Sequence, residues 1–257
     1  MSQGTGAPPT DETVDERPPR HAGRQRRRRG LSFWLGLVLV LGGLGMLGYV
    51  AWQMYGTNIV SRQTQERLVE DLEKEWSVAP GTTVEGEPAE PAEPADVPLG
   101  DASALVRIPA FGDDYVVPVL EGIGDEELSS GYGHFPDSAD PGERGNYALA
   151  AHRVTHGEPL RDMPELRPGD EVVIETRKAI YTYVLDTNPN DLIVTFEDIW
   201  VVDPLPTNPD GGVQPAQRPG QRLITLTTCS ELFHTDNRMI AFGHLVDTEK
   251  KQAAAAG

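Results

Sequence analysis

One thiol, Cys229, is all that a chain of 257 residues carries, so no disulfide can close within it. Basic residues are scarce as well. Lys and Arg number 22 against 40 Asp and Glu, a net charge of -18, and phosphates would be repelled over most of such a surface, which excludes nucleic acid as a partner. Aromatic residues make up 7% and hydrophobic residues 38%, enough for one core but not for a protein buried throughout. The acid runs "GDEEL" and "FEDIW" lack EF-hand spacing and read as solvated faces, so neither a metal nor a cofactor is expected.

What is present is strongly segmented. Residues 1–30 combine Pro, Gly, seven arginines and four acids with almost no apolar residue, the composition of a disordered tail. The tail closes on "RQRRRR" and gives way to "LSFWLGLVLVLGGLGMLGYVAW", an uncharged run from Leu31 to Trp52. A helix needs about 20 apolar residues to cross a bilayer. The exit "YVAWQMYG" is bulky where a signal peptidase site would be small, so residues 31–54 read as an uncleaved, single-pass membrane anchor in contact with lipid. The arginine block fixes the N-terminus in the cytoplasm and puts the rest of the chain outside. Residues 55–98 read as a stalk helix, "NIVSRQTQERLVEDLEKEW", with Val60, Leu68, Val69, Leu72 and Trp76 near helical spacing, followed by the spacer "EGEPAEPAEPADVP".

Residues 99–250 change character again. Eight short β-rich runs are separated by Gly, Pro, Asn and Asp: "ALVRIPA", "YVVPVLEG", "NYALAAHRV", "EVVIETRKAIYTYVLDT", "DLIVTF", "IWVVDP", "RLITLTTC" and "MIAFGHLVDT". With no long helical pattern among them they predict an all-β barrel or sandwich, with a hairpin turning near Arg177–Lys178 and a helical turn in "RDMPELRPGD".

A free thiol outside the membrane is a liability, which favours a use for Cys229; a buried small hydrophobe and an intermolecular bridge are the other readings. A thiol with an ordinary pKa of about 8.5 is only slightly ionised near neutral pH, so a catalytic cysteine needs a base or cation beside it and a donor for the oxyanion. Five histidines follow the anchor: His134, His152, His156, His234 and His244. His152, like Cys229, stands where a β-run ends; His156 and His234 are the next candidates for the base. Arg238 opens the run after the cysteine loop, and antiparallel succession brings the end of one strand beside the start of the next. The other arginines of the domain, among them Arg153, read as surface residues.

"TLTTC" with Arg238 nine positions on, together with "GNYALAAHRVTHGEPL", resembles the sortase family from about Ala104 to Val246. "GYGHFPDSADPGERGN" and "TLTTCSELF" look most like the class E sortases of high-GC Gram-positive bacteria. The resemblance implies an eight-stranded sortase-type β-barrel with short helical turns, behind one N-terminal transmembrane helix. It implies cysteine transpeptidation, with His152, Cys229 and Arg238 at the catalytic positions and Thr228 near the substrate. It implies secreted proteins bearing an LAxTG- or LPxTG-like sorting signal as substrates, and the amine of a lipid-linked peptidoglycan precursor as acceptor. Ala151 stands where the family more often has Gly. Two other readings are a pilin-polymerising sortase, whose acceptor is a pilin lysine, and an inactive barrel serving as a surface binding module.

Overall fold

The computed structural model describes residues 30–52, 56–77, 100–230 and 236–251. The predicted N-terminal tail to residue 29, the Pro/Glu-rich spacer, the end of "KKQAAAAG" and His234 lie outside the described residues. The chain forms two compact units, Met1–Met46 and Leu47–Gly257. Helix α1 (Leu31–Ala51) makes up the described part of the first unit and runs on into the start of the second. Its segment Ser32–Ala51 is long and apolar enough to cross a membrane, with its described side chains exposed. At about 1.5 Å per residue, 20 residues match a hydrocarbon layer of about 30 Å.

The second unit is a closed barrel. Its strands are β1 (Ala102–Arg107), β2 (Val117–Glu121), β3 (Tyr132–His134), β4 (Gly145–Ala150), β5 (Glu171–Glu175), β6 (Ala179–Leu185), β7 (Ile193–Thr195), β8 (Arg222–Cys229) and β9 (Asn237–Lys250). Hydrogen bonding runs β6-β5-β1-β2-β3-β4-β8-β9, and β9 pairs with β6 to complete a ring of eight. β7 is a ninth, short strand added to the start of β9. The 14-residue β9 therefore has three partners along its length: β8 and β7 near Arg238, then β6. Barrel closure leaves none of the eight ring strands as a free edge along its full length.

Alternation decides which side chains fill the ring. Val117 and Val119, Tyr147 and Leu149, Ile224 and Leu226, and Met239 and Ala241 all belong to the interior cluster, two from each of β2, β4, β8 and β9. The intervening residues face outward. Glu121 and His134, in register on β2 and β3, extend the interior as a polar pair joined at 2.7 Å. Burial alone would raise the Glu121 carboxyl, but the hydrogen bond and charge of His134, with the Ser103 hydroxyl, hold it below its ordinary value.

Three segments depart from the sequence reading. "IWVVDP" forms a 3-10 helix over Ile199–Val202 and not a strand. A four-residue apolar run does not distinguish the two; here the Val201 carbonyl is captured by Asn146 and Thr225 side chains on the outer face of β4 and β8, not by a ladder. "GYGH" supplies β3, a strand too short for a two-residue period to register. "DEELSS", read as a solvated acid face, forms α3 (Asp125–Ser130), with Asp125, Glu126 and Glu127 in its first turn, where negative charge suits the helix dipole. The hairpin between β5 and β6 and the helical turn at Met163–Glu165 fall where the sequence puts them.

Helix α2 (Thr57–Ser77), read as a stalk, lies against the barrel. Val69 and Leu72 pack on Leu105 of β1, with Trp76, Ala102 and Val116 at the margin. Ion pairs Arg107–Glu73 and Arg177–Glu75 flank the contact, and the Lys251 ammonium sits 4.3 Å from the centre of the Trp76 ring.

Candidate active site

Three strand ends meet at one end of the barrel. β4 and β8 are parallel, with Ala150 opposite Thr227, and the ladder continues through the Ala151 amide, which donates to the Thr227 carbonyl at 3.2 Å. Two residues on from that pair, His152 stands level with Cys229. β8 and β9 are antiparallel, with Cys229 opposite Arg238. Because Leu149 and Ala151, Leu226, and Met239 are interior residues, alternation turns His152, Cys229 and Arg238 outward together. Neighbouring strands lie about 4.8 Å apart, so the three backbones span about 10 Å, within reach of His and Arg side chains converging on a thiol.

Thr228 faces the other way. It is 3% exposed, and its hydroxyl donates to the Ala151 carbonyl at 2.7 Å. The predicted contact of Thr228 with substrate thus has no exposed side chain behind it; the hydroxyl instead ties the end of the cysteine strand to the residue before His152. Ala151 is compatible with this geometry, its methyl buried in the interior cluster and its carbonyl used by Thr228. Thr228→Val keeps the shape and removes the donor. It should lower stability by about 1–2 kcal/mol and reduce turnover, checked by thermal melting and steady-state kinetics on the same sample.

The segment after His152 is held on several sides. The Leu160 amide donates to the His152 carbonyl at 3.0 Å, and Leu160 is fully buried. The Tyr115 hydroxyl donates to the Pro159 carbonyl at 2.8 Å and meets the Tyr132 hydroxyl at 2.7 Å. Burial of both phenols pushes their pKa values well up, so they remain neutral donors. Within the segment His156, Gly157 and Glu158 all have positive φ, at 54°, 82° and 58°. A left-handed conformation costs a non-glycine residue about 1–3 kcal/mol and persists only where its surroundings over-determine it.

The rings of His152 and His156 lie against each other, with centres 4.5 Å apart and planes inclined at 32°. The Thr155 hydroxyl lies 3.4 Å from Nδ1 of His152 and 3.0 Å from Nδ1 of His156. Burial lowers the pKa of His156 despite an opposing effect of Asp125, leaving it a neutral ring at neutral pH. The remaining described histidines are elsewhere: His134 in the barrel interior, and His244 on Asp186 six residues along β9 from Arg238. Among the described residues no cluster of three or more His, Cys, Asp and Glu is arranged to hold a metal.

Arg153, which the sequence offers as one surface arginine among several, is half-buried, and its guanidinium donates to the carbonyls of Cys229 (3.4 Å) and Ser230. It therefore braces the chain beyond His152 against the chain at the nucleophile. Its position directly after His152 was the available signal. That it reaches across to β8 depends on the parallel pairing, which has no local trace in sequence.

Chemically the site combines a thiol, an imidazole and a guanidinium on one face, with the thiol half-exposed and unpaired by disulfide. Such a set suits attack of sulfur on a carbonyl, with proton transfer by imidazole and donors for the oxyanion.

A family model described as the sortase domain matches residues 106–246. The chain is 33% identical over 221 residues to sortase SrtE1 of Streptomyces coelicolor, covering 83% of this chain and 56% of that protein, so it spans little more than half of that relative's length. Sortase SrtE2 of the same organism is 26% identical, with 94% of each chain covered. The solved structure of sortase E from Streptomyces avermitilis superposes with a TM-score of 0.53 at 38% identity, over 62% of this chain and 97% of that one.

Proposed function

The chain belongs to the sortase family, whose members are cysteine transpeptidases of the cell surface, and we propose that it is a membrane-anchored sortase of the class E kind. It cleaves a C-terminal sorting signal between Thr and Gly and transfers the protein to a cell-wall amine. The observation that carries this reading is the double register, Ala150 with Thr227 and Cys229 with Arg238, which sets a histidine, a cysteine and an arginine on adjacent strand ends and one face.

In this reading the Cys229 thiolate adds to the threonine carbonyl, and the oxyanion is met by the Arg238 guanidinium. Collapse breaks the C–N bond. The glycine amine leaves with a proton from His152, and the acyl group remains as a thioester on Cys229. An incoming amine then adds to the thioester, giving its proton to His152 as the new amide forms and the thiolate is released. Arg238 also orients the signal, so the acyl group is held where donors already point and an amine is favoured over water.

The anchor is α1, with the arginines at 26–29 on its cytoplasmic side, which leaves the barrel outside the membrane. Likeness to two Streptomyces class E sortases supports an LAxTG signal over LPxTG, and the amine of a lipid-linked peptidoglycan precursor as acceptor.

The test is to incubate the full chain in detergent with LAxTG and LPxTG peptides and a peptidoglycan-type amine. An acyl adduct on Cys229 and an amide product, formed faster from LAxTG, are expected. Absence of any adduct with either peptide refutes the reading. Transfer to a pilin-type lysine but not to the peptidoglycan amine would make it a pilin polymerase instead.

A further inference from the structure

The buried stripe of α2 is polar in its first half and apolar in its second. Asn58, Ser61, Gln65, Val69, Leu72 and Trp76 follow one another at helical spacing, and the stripe faces the barrel throughout. Val69 and Leu72 suffice to explain why the helix docks. They do not explain why Ser61 and Gln65 are buried beside them.

The polar half meets the left-handed turn at residues 156–158. Oδ1 of Asn58 accepts from the Gly157 amide at 3.0 Å, while its Nδ2 donates to Glu158 Oε1 at 2.7 Å. Gln65 Nε2 donates to the His156 carbonyl at 3.2 Å. A Cβ on Gly157 would stand 2.7 Å from the Gln65 amide nitrogen, and the φ of 82° at that position favours glycine. Two carboxamides thus bind the backbone of His156 and Gly157 and the carboxylate of Glu158, in a turn whose three residues hold a conformation that L-residues avoid. The first of those residues carries the ring that packs at a tilt against His152, and Thr155 bridges the two imidazoles.

We propose that Asn58 and Gln65 are positioning residues for His152: they hold the 156–158 turn left-handed, and through the His156 ring packed against it that turn sets where the catalytic imidazole points. The proposal rests on His152 being the catalytic acid and base. Without the two carboxamides the turn relaxes toward ordinary φ, the His156 ring moves, and His152 loses its lateral support. The barrel, whose core lies elsewhere, stays folded. The catalytic unit then begins at α2 and not at the first barrel strand.

The experiment uses the full chain in detergent, with Asn58→Ala, Gln65→Ala, the double variant, and His152→Ala as control. In the double variant kcat should fall about tenfold, since displacement of a catalytic group by about 1 Å costs up to about a hundredfold. KM for the signal peptide should stay within about twofold, because both carboxamides are engaged with the 156–158 turn. The pH profile of Cys229 alkylation should move toward that of His152→Ala, a change that loss of packing alone would not produce. Adding Glu158→Gly to Asn58→Ala should recover most of the lost kcat, because glycine adopts the left-handed turn without help. If His152→Ala is inactive while the double variant keeps kcat within about twofold, the proposal is overturned alone. If His152→Ala is fully active, the catalytic assignment fails and the proposal falls with it. A fall in kcat accompanied by loss of cooperative melting, with no rescue by Glu158→Gly, assigns both carboxamides to folding only and also overturns it.

Discussion

Cys229→Ala is expected to reduce transfer to the uncatalysed background while leaving the barrel folded. The thiol is the sole candidate for the acyl carrier, because the chain has no other cysteine. Its side chain sits half-exposed at the end of β8, on the outer face and away from the interior cluster. Losing one sulfur there should cost about 0.5 kcal/mol or less, as for other substitutions outside a core. For a domain of this size that is a shift in melting temperature of about 2 °C or less. The informative result is therefore a pairing: no acyl adduct by mass spectrometry and an unchanged melting curve. Substantial turnover by the alanine variant would remove Cys229 from the mechanism.

His152→Ala should lower kcat/KM by about a hundredfold to ten-thousandfold, the range ascribed to positioned general acids and bases. The same replacement at its neighbours should separate three roles. His156→Ala removes the ring that packs against His152 and should cost about tenfold, less than loss of His152 itself. His134→Ala should cost stability in place of chemistry, since it leaves Glu121 partly buried without the imidazole that holds its charge. His244→Ala, at an exposed pair with Asp186, should be close to neutral in both measurements. Steady-state kinetics and thermal melts on the four proteins give the comparison. Equal tolerance at His152 and His156 would place the acid and base elsewhere.

Both substitutions were reachable from sequence because strand ends have a local signal. "ITLTTC" and "NYALAAH" are β-prone runs that stop at a chemically active residue, and a strand's period tells which residues share a face. The antiparallel step from Cys229 to Arg238 was legible for the same reason, since successive strands joined by a short loop usually pair. The parallel pairing of β4 with β8 was not. Those strands are more than seventy residues apart, and nothing local records the join. The bracing by Arg153 stayed hidden with it.

Helix α2 shows a second kind of limit. Reading apolar residues alone, the sequence offers Val60 as part of the buried face, yet Val60 is exposed and Asn58, Ser61 and Gln65 are turned inward. A buried stripe that is half polar looks like solvent-exposed helix until its partner is known, and that partner is a turn a hundred residues away. "IWVVDP" fails for a related reason: whether four apolar residues extend or coil was decided by Asn146 and Thr225, side chains from two other strands.

The long last strand carries a consequence for timing. β9 supplies Arg238 at one end and, through its pairing with β6, the closure of the ring at the other. It is also the final strand of the barrel to emerge as the chain is made. Until then a nascent molecule has Cys229 but neither a shut barrel nor the guanidinium of the neighbouring strand. Topology alone thus makes the pairing of Cys229 with Arg238 wait on the last strand of the ring, so that the face carrying the thiol is completed in the same step that shuts the barrel.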